Sequence, residues 1–261
     1  MPNTSIHKTV VFIGAGNVAT HLSQAMKNAG FSILQIFSRT TESAKRLADI
    51  SKCSYTTDIK KILPDADIYI FALKDDILQS VIEKMPANNG LWIHTAGSVN
   101  INIFNGFTER YGVIYPMQTL SVKRIMDFSK VPLFIEGNTS IMENEVRDIA
   151  AALSHNVTCM NSEKRRYLHL AAVFACNFSN HMYVLATQIL KKRDIGIDHR
   201  ILQPLIDETA SKLYSMSPQE AQTGPAIRYD RNIIDRHLSM LDDENIRNLY
   251  ITISECIHSN C

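Results

Sequence analysis

Gly14-Ala15-Gly16-Asn17-Val18-Ala19 follows directly on the β-branched and aromatic run Thr9-Val10-Val11-Phe12-Ile13. Apolar side chains then return at Val18, Leu22, Ala25, Met26 and Ala29, one face of a helix, until Gly30 caps it. A strand that breaks into two glycines and at once becomes a helix is the frame in which G-x-G-x-x-G/A binds a dinucleotide pyrophosphate. Gly14 permits the tight turn, Gly16 lets the backbone approach the phosphates, and Ala19 lets helix and sheet pack closely. Asn17 and Val18 open the helix, whose free N–H groups and positive dipole end face the same phosphates.

A carboxylate that grips a ribose 2′-hydroxyl is expected at the end of the second strand, roughly 20 residues beyond the glycines. That strand ends Ile36-Phe37-Ser38-Arg39-Thr40-Thr41, and the first acid after it is Glu42. Arg39 offers a planar fork of donors suited to a phosphate, with the hydroxyls of Ser38 and Thr40 beside it. This cluster attracts a 2′-phosphate that a carboxylate would repel, so the cofactor predicted is NADP(H). The alternative is that Arg39 is only a solvated charge at a strand end. Leu73 and Lys74 close the apolar run Asp67–Leu73 at the carboxyl edge, where ligands bind in open α/β sheets, and are added to the cofactor set.

Nicotinamide chemistry also needs a group that gives or takes a proton near C4. His94 ends the strand Leu91-Trp92-Ile93-His94, and imidazole titrates near neutral pH. It serves either as that group or as a histidine hydrogen-bonded within the sheet. Thr95-Ala96-Gly97-Ser98 follows, and Gly97 and Ser98 are expected to meet the cofactor amide or ribose. His169 and Asn177 lie on one long helix, about 80° apart around its axis at 3.6 residues per turn, so both can face one cleft. His169 is the candidate general acid and Asn177 the candidate for orienting substrate, against the alternative of a polar pair joining two packed helices. Gln118, in the polar loop Met117–Ser121, completes the expected substrate side.

These residues must be carried by a chain of 261 residues, long enough for two domains. Its 45% hydrophobic and 20% charged content is ordinary for a globular protein. A net charge of +1 gives no support for a nucleic-acid or membrane-surface partner. The basic triplets Lys164-Arg165-Arg166 and Lys191-Lys192-Arg193 read as solvated helix ends. The first ten residues lack the apolar core of a signal peptide. Five cysteines form no C-x-x-C pair, which fits reduced thiols in the cytoplasm, and nine histidines show no metal-ligand spacing.

Strand and helix patterns alternate through Val157–Met160. Residues 1–160 are therefore predicted as an α/β domain, a Rossmann-type, mostly parallel sheet with helices. Residues 161–261 form an all-helical second domain. Its first stretch, Glu163 to Lys192, is apolar on nearly every side between Leu168 and Leu190. The polar residues His169, Asn177, Asn180, His181 and Gln188 within it argue for a helix buried in protein rather than a membrane span. So apolar a helix predicts a homodimer built through the helical domain.

The chain resembles the Rossmann-like NAD(P)-binding proteins with a helical domain of unassigned function, often called DUF2520. These are relatives of pyrroline-5-carboxylate reductase, ketopantoate reductase and F420-dependent NADP oxidoreductases. The resemblance rests on the glycine motif, on His94–Ser98, on Tyr115-Pro116-Met117-Gln118-Thr119, on Tyr167-Leu168-His169 with Asn177, and on Thr223-Gly224-Pro225-Ala226-Ile227-Arg228-Tyr229-Asp230. It implies NADP binding and oxidoreductase activity, without supplying a substrate. It also favours Arg228 as a ligand for a substrate carboxylate or phosphate over a surface pair with Asp230. Two departures stand out: Tyr115 where the family pattern has histidine before the proline, and Tyr229 where it has glycine. Related hydroxyacid dehydrogenases carry a lysine four residues before their helix asparagine, whereas residue 173 here is Val.

The expectation is thus a cytoplasmic NADP(H)-dependent oxidoreductase that reduces a small imine or carbonyl compound at an interdomain cleft. The rival is a nucleotide-binding sensor or regulator that catalyses nothing. A deazaflavin-linked enzyme is a third possibility that no residue selects.

Overall fold

The computed structural model describes residues 8–124, 126–193 and 195–259. They form two compact units, one ending at His181 and one beginning at Met182. In the first, β1 (Thr9–Ile13) leads through the glycine turn to α1 (Asn17–Asn28), β2 (Ser32–Phe37), α2 (Thr41–Ser51) and β3 (Ser54–Thr56). The chain then returns to β4 (Ile68–Phe71), α3 (Asp75–Ile82), β5 (Leu91–His94) and β6 (Tyr111–Pro116). It continues with β7 (Leu133–Gly137), α4 (Ser140–Ala151) and β8 (Val157–Cys159).

The strands make one sheet in the order β3-β2-β1-β4-β5-β6-β7-β8. Neighbours run parallel except β6 and β7, which are antiparallel. Among its described residues, the segment between that pair carries only a short 3₁₀ turn, Phe128–Lys130. Without a crossover helix the chain returns alongside the strand it has just left, which is antiparallel pairing. The side chains of β1 alternate between faces as the pleat requires. Val10 and Phe12 join the core under α1 and α4, while Val11 and Ile13 join Tyr69, Phe71, Trp92 and Phe104 on the other face. Because β2 and β3 build outward from β1 on one side and β4 begins the other, the strand order reverses between β1 and β4. Open α/β sheets bind ligands at that crevice.

Next come α5 (Ser162–Ala172), a π-helical segment (Val173–Phe178) and α6 (Ser179–Lys192), one helix with a wide turn in its middle. The unit boundary falls within α6. The second unit adds α7 (Gln203–Ser211), α8 (Pro218–Ala221), α9 (Arg231–Met240) and α10 (Glu244–Ser259). Asp230 caps α9 by accepting from the Ile233 N–H, and Arg228 makes no ion pair among the described residues.

The sheet is mostly parallel, as expected. Two expectations need correction. The triplet 164–166 is not a solvated helix end: Lys164 and Arg166 are exposed, but Arg165 is fully buried. The long apolar helix is not buried within its own chain. Tyr167, Leu170, Phe174 and Phe178 are half or more exposed. The second unit is similarly open, since among its described residues only Ala226, Ile234 and Ser254 are buried. No helix among the described residues is long and apolar enough to cross a membrane.

Candidate functional site

The glycine turn sits at the sheet crevice because it is held from both sides. Gly14 N–H donates to the Phe37 carbonyl (2.8 Å) and Ala72 N–H to the Ile13 carbonyl (2.9 Å). Gly14 has φ +116°, and a Cβ there would overlap the Ala72 carbonyl, so only glycine fits. Gly16 differs: nothing lies within 4 Å of where its Cβ would stand. It precedes α1 without any side-chain cap on the helix N–H groups. An open glycine before uncapped N–H donors is the cradle that a pyrophosphate fills. Arg46 of α2 braces this turn, its Nη2 donating to the Ala15 carbonyl at 2.7 Å. Sequence reasoning missed that contact, because no local pattern joins Arg46 on α2 to Ala15 before α1. Arg39 itself is exposed at the end of β2 and has no hydrogen-bond or ion-pair partner among the described residues. Ser38 and Thr40 flank it. This free guanidinium fits a 2′-phosphate.

From the turn a cavity of about 970 Å³ runs along the carboxyl ends of the strands, lined wholly by residues of the first unit. Gly16, Asn17 and Val18 form one end, and Leu73, Lys74 and Thr95–Gly97 the sheet edge. Tyr115, Gln118, His169, Cys176 and Asn177 stand on the remaining walls. The π turn places Val173, Cys176 and Asn177 on the same wall as His169. π turns are often found where a helix lines a functional site. Of the polar set predicted from sequence, Gln118, His169 and Asn177 are brought together. Ser98 is not on the cavity wall and bonds to Asp75 through its hydroxyl instead. Arg228 belongs to the second unit.

His94 is also off the cavity wall and fully buried. Its Nδ1 accepts from the Ala96 N–H at 3.2 Å, and its Nε2 is buried with no partner among the described residues. Burial, and then the charge of Arg165, push its pKa down to about 3. A neutral ring packed 5.7 Å from Phe104 fits the structural alternative better than a proton carrier facing substrate.

The residue that does meet His169 is Tyr115, known from sequence only as a departure from the family pattern. Its hydroxyl lies 3.0 Å from His169 Nδ1, with the rings edge to face at 5.7 Å. Chiefly through burial, the Tyr115 phenol titrates above its ordinary value. His169 is held in place from its own helix. One turn earlier, Arg165 donates to the Val99 carbonyl (2.7 Å), to Ser162 Oγ (3.0 Å) and to Glu136 Oε2 (2.5 Å). Ser162 Oγ also donates to Glu136 (2.7 Å) and accepts from the Ile101 N–H (2.9 Å). The start of α5 is thereby pinned to β7 and to the loop leaving β5. Among the described residues no cluster of histidine, cysteine or acidic side chains is placed to hold a metal ion.

Comparison with known proteins gives a consistent picture. A family model described as NADP oxidoreductase, coenzyme F420-dependent, matches residues 9–94, and one described as a domain of unknown function, DUF2520, matches residues 131–257. A candidate NADP oxidoreductase of Bacteroides fragilis is 46% identical, with 97% of this chain and 98% of that chain covered and a TM-score of 0.90. Two more distant structures share the fold. 1-Pyrroline-5-carboxylate reductase of Streptococcus pyogenes is 16% identical, with 99% and 100% covered and a TM-score of 0.63. A reductive aminase of Aspergillus terreus, solved with NADPH and ethyl-5-oxohexanoate, is 13% identical, with 97% and 94% covered and a TM-score of 0.70. No protein with a curated description matches the chain.

Proposed function

We propose that this chain, which belongs to the NADP oxidoreductase family of the Bacteroides fragilis protein, reduces the C=O or C=N bond of a small compound. The observation that carries this reading is one cavity with a phosphate cradle at Gly16 and an ionisable pair, Tyr115 and His169, on its wall. The imine and pyrroline reductases among the structural neighbours point to the same bond types.

NADPH, when bound, supplies the hydride. The chain's own residues do the rest. Gly16 to Val18 receive the pyrophosphate, and Ser38, Arg39 and Thr40 the 2′-phosphate. Leu73, Lys74 and Gly97 border the remainder of the cofactor. His169 gives the proton that the substrate heteroatom takes up, and Asn177 and Gln118 orient the substrate. Arg228, without an ion-pair partner among the described residues, is the candidate for a substrate carboxylate or phosphate. Titrating the protein's fluorescence with NADPH and with NADH tests the cofactor half. NADPH is expected to bind more tightly, and Arg39→Ala to weaken it by roughly 10-fold to 100-fold while leaving NADH unchanged. Binding of neither nucleotide would sink the reading. His169→Asn should lower turnover by roughly 100-fold, as loss of a general acid does.

We also infer that residues 161–261 serve as a dimerisation domain. Ile201 and Leu205 are 62% and 66% exposed, and Tyr214 is 94% exposed. Large apolar side chains left this exposed are costly in water, and homodimer interfaces cover such side chains. Sedimentation velocity should give a dimer, and a monomer at micromolar concentration would overturn this. Cys53, Cys159 and Cys176 are free thiols, which supports the cytoplasm as the compartment.

A further inference from the structure

We infer that Tyr115 is a positioning residue that fixes which nitrogen of His169 faces the substrate. This rests on the cavity being the reductase site proposed above, but the contact itself does not depend on that reading. Among the described residues, the Tyr115 hydroxyl has one hydrogen-bond partner, His169 Nδ1 at 3.0 Å. Tyr115 is only 8% exposed, and burial holds its phenol protonated well beyond neutral pH. A part-buried hydroxyl with one protein acceptor at hydrogen-bond distance directs its proton to that acceptor. Tyr115 O–H therefore donates to Nδ1, and the neutral imidazole carries its own proton on Nε2. Among the described residues Nε2 has no hydrogen-bond partner, on a side chain that lines the cavity. It is left as the donor to a carbonyl oxygen or a neutral imine nitrogen.

The third member of the contact is Gly97. Its missing Cβ would stand 2.7 Å from His169 Nδ1 and 2.9 Å from a Tyr115 ring carbon. The pair closes only because residue 97 has no side chain.

The arrangement also supplies a proton without a charged histidine. Bound NADPH would supply the hydride for the new C–H bond, and the C=O or C=N π electrons would pass to the heteroatom. The heteroatom takes the Nε2 proton, Nδ1 takes the hydroxyl proton of Tyr115, and the phenolate recovers a proton from solvent. An alkoxide or an amide anion is a far stronger base than a phenolate, so this transfer runs downhill even from a phenol with a raised pKa.

The test is heteronuclear NMR of the full chain labelled with ¹⁵N-histidine, above the pH where imidazole titrates. His169 signals are identified by their loss in His169→Gln. In the wild type, the neutral ring is expected in the Nε2–H form alone, with Nδ1 at the shift of a hydrogen-bonded acceptor. In Tyr115→Phe it is expected as a mixture of both tautomers, with the other histidines unmoved. An Nδ1–H ring in the wild type, or the same tautomer ratio in both proteins, overturns the assignment. The spectra are recorded on ligand-free protein and again with NADP⁺. A failure to bind NADP⁺ sinks the cofactor reading and leaves the tautomer result standing.

Discussion

Gly97 and His169 are in contact across 72 residues of sequence, with no room for even one added carbon between them: a Cβ on Gly97 would lie 2.7 Å from the imidazole Nδ1. Gly97→Ala must therefore move either the loop after β5 or the ring of His169. Overpacking of this kind costs about 1–3 kcal/mol in stability. Its larger effect is on position, since a displacement of about 1 Å at a reacting group can cost roughly 100-fold in rate. The expected result is a protein that still folds and has lost about 100-fold in turnover. Retained turnover would mean that His169 does not act from this position.

How far the site could be read from sequence follows from how local its parts are. Gly14 and Gly16 sit between a strand and the helix they begin, so their task is written within a dozen residues. Arg39 needs only the end of β2. The pairing of Tyr115 with His169 joins β6 to α5, and no local pattern brings the two together. Tyr115 was visible only as a departure from a family pattern. Arg165 misled for the same reason: beside Lys164 and Arg166 it looks solvated, and the carboxylate that takes it inward, Glu136, is on a distant strand. The π turn at Val173–Phe178 has no proline or glycine to announce it. His94 failed differently, because a strand-end position fixes a residue's place along the sheet but not whether its side chain reaches the cavity.

Arg165 and Glu136 make the next expectation. The arginine side chain is 0% exposed and the glutamate 15%, and three separate acceptors hold the guanidinium. Removing one partner of such a pair leaves a buried charge uncompensated, at about 3–5 kcal/mol. Arg165→Met is expected to lose stability on that scale in urea unfolding. Arg165→Lys should recover only part of it, because one ammonium cannot reproduce the forked contacts to Glu136, Ser162 and Val99. A loss below about 1 kcal/mol in Arg165→Met would show that Glu136 finds water instead.

Tyr229, the second departure from the family pattern, adopts φ +51°, the left-handed region that glycine enters freely. Its ring stacks on His258 at 4.2 Å and 16° from parallel, and the Arg231 guanidinium lies 4.8 Å from the ring centre. Arg231 also donates to the Tyr229 hydroxyl at 3.0 Å. The side chain thus offsets the backbone strain that it causes. Tyr229→Ala keeps the strain and loses the contacts, whereas Tyr229→Gly loses the contacts and the strain together. Both should be less stable than the wild type, with Gly above Ala by about 1 kcal/mol. Thermal unfolding of the three proteins checks the order, and Ala at or above Gly would contradict it.

The buried His94 gives the protein a pH dependence with a definite sign. Its folded pKa is depressed to about 3, by burial first and by the Arg165 charge second, against an ordinary value of 6.5. Above the unfolded value the ring is neutral in both states and contributes nothing to the slope. Below it the unfolded chain binds a proton that the folded chain refuses, so stability falls as pH falls, until the folded pKa is reached. From about pH 7.5 to about pH 5.5 this one group should remove about 1.4 kcal/mol. His94→Gln has no such proton to bind. Its stability difference from the wild type, measured by urea unfolding, should therefore narrow by about that amount over the same interval. An unchanged difference would mean that His94 is protonated in the folded protein, and that its buried Nε2 has an acceptor after all.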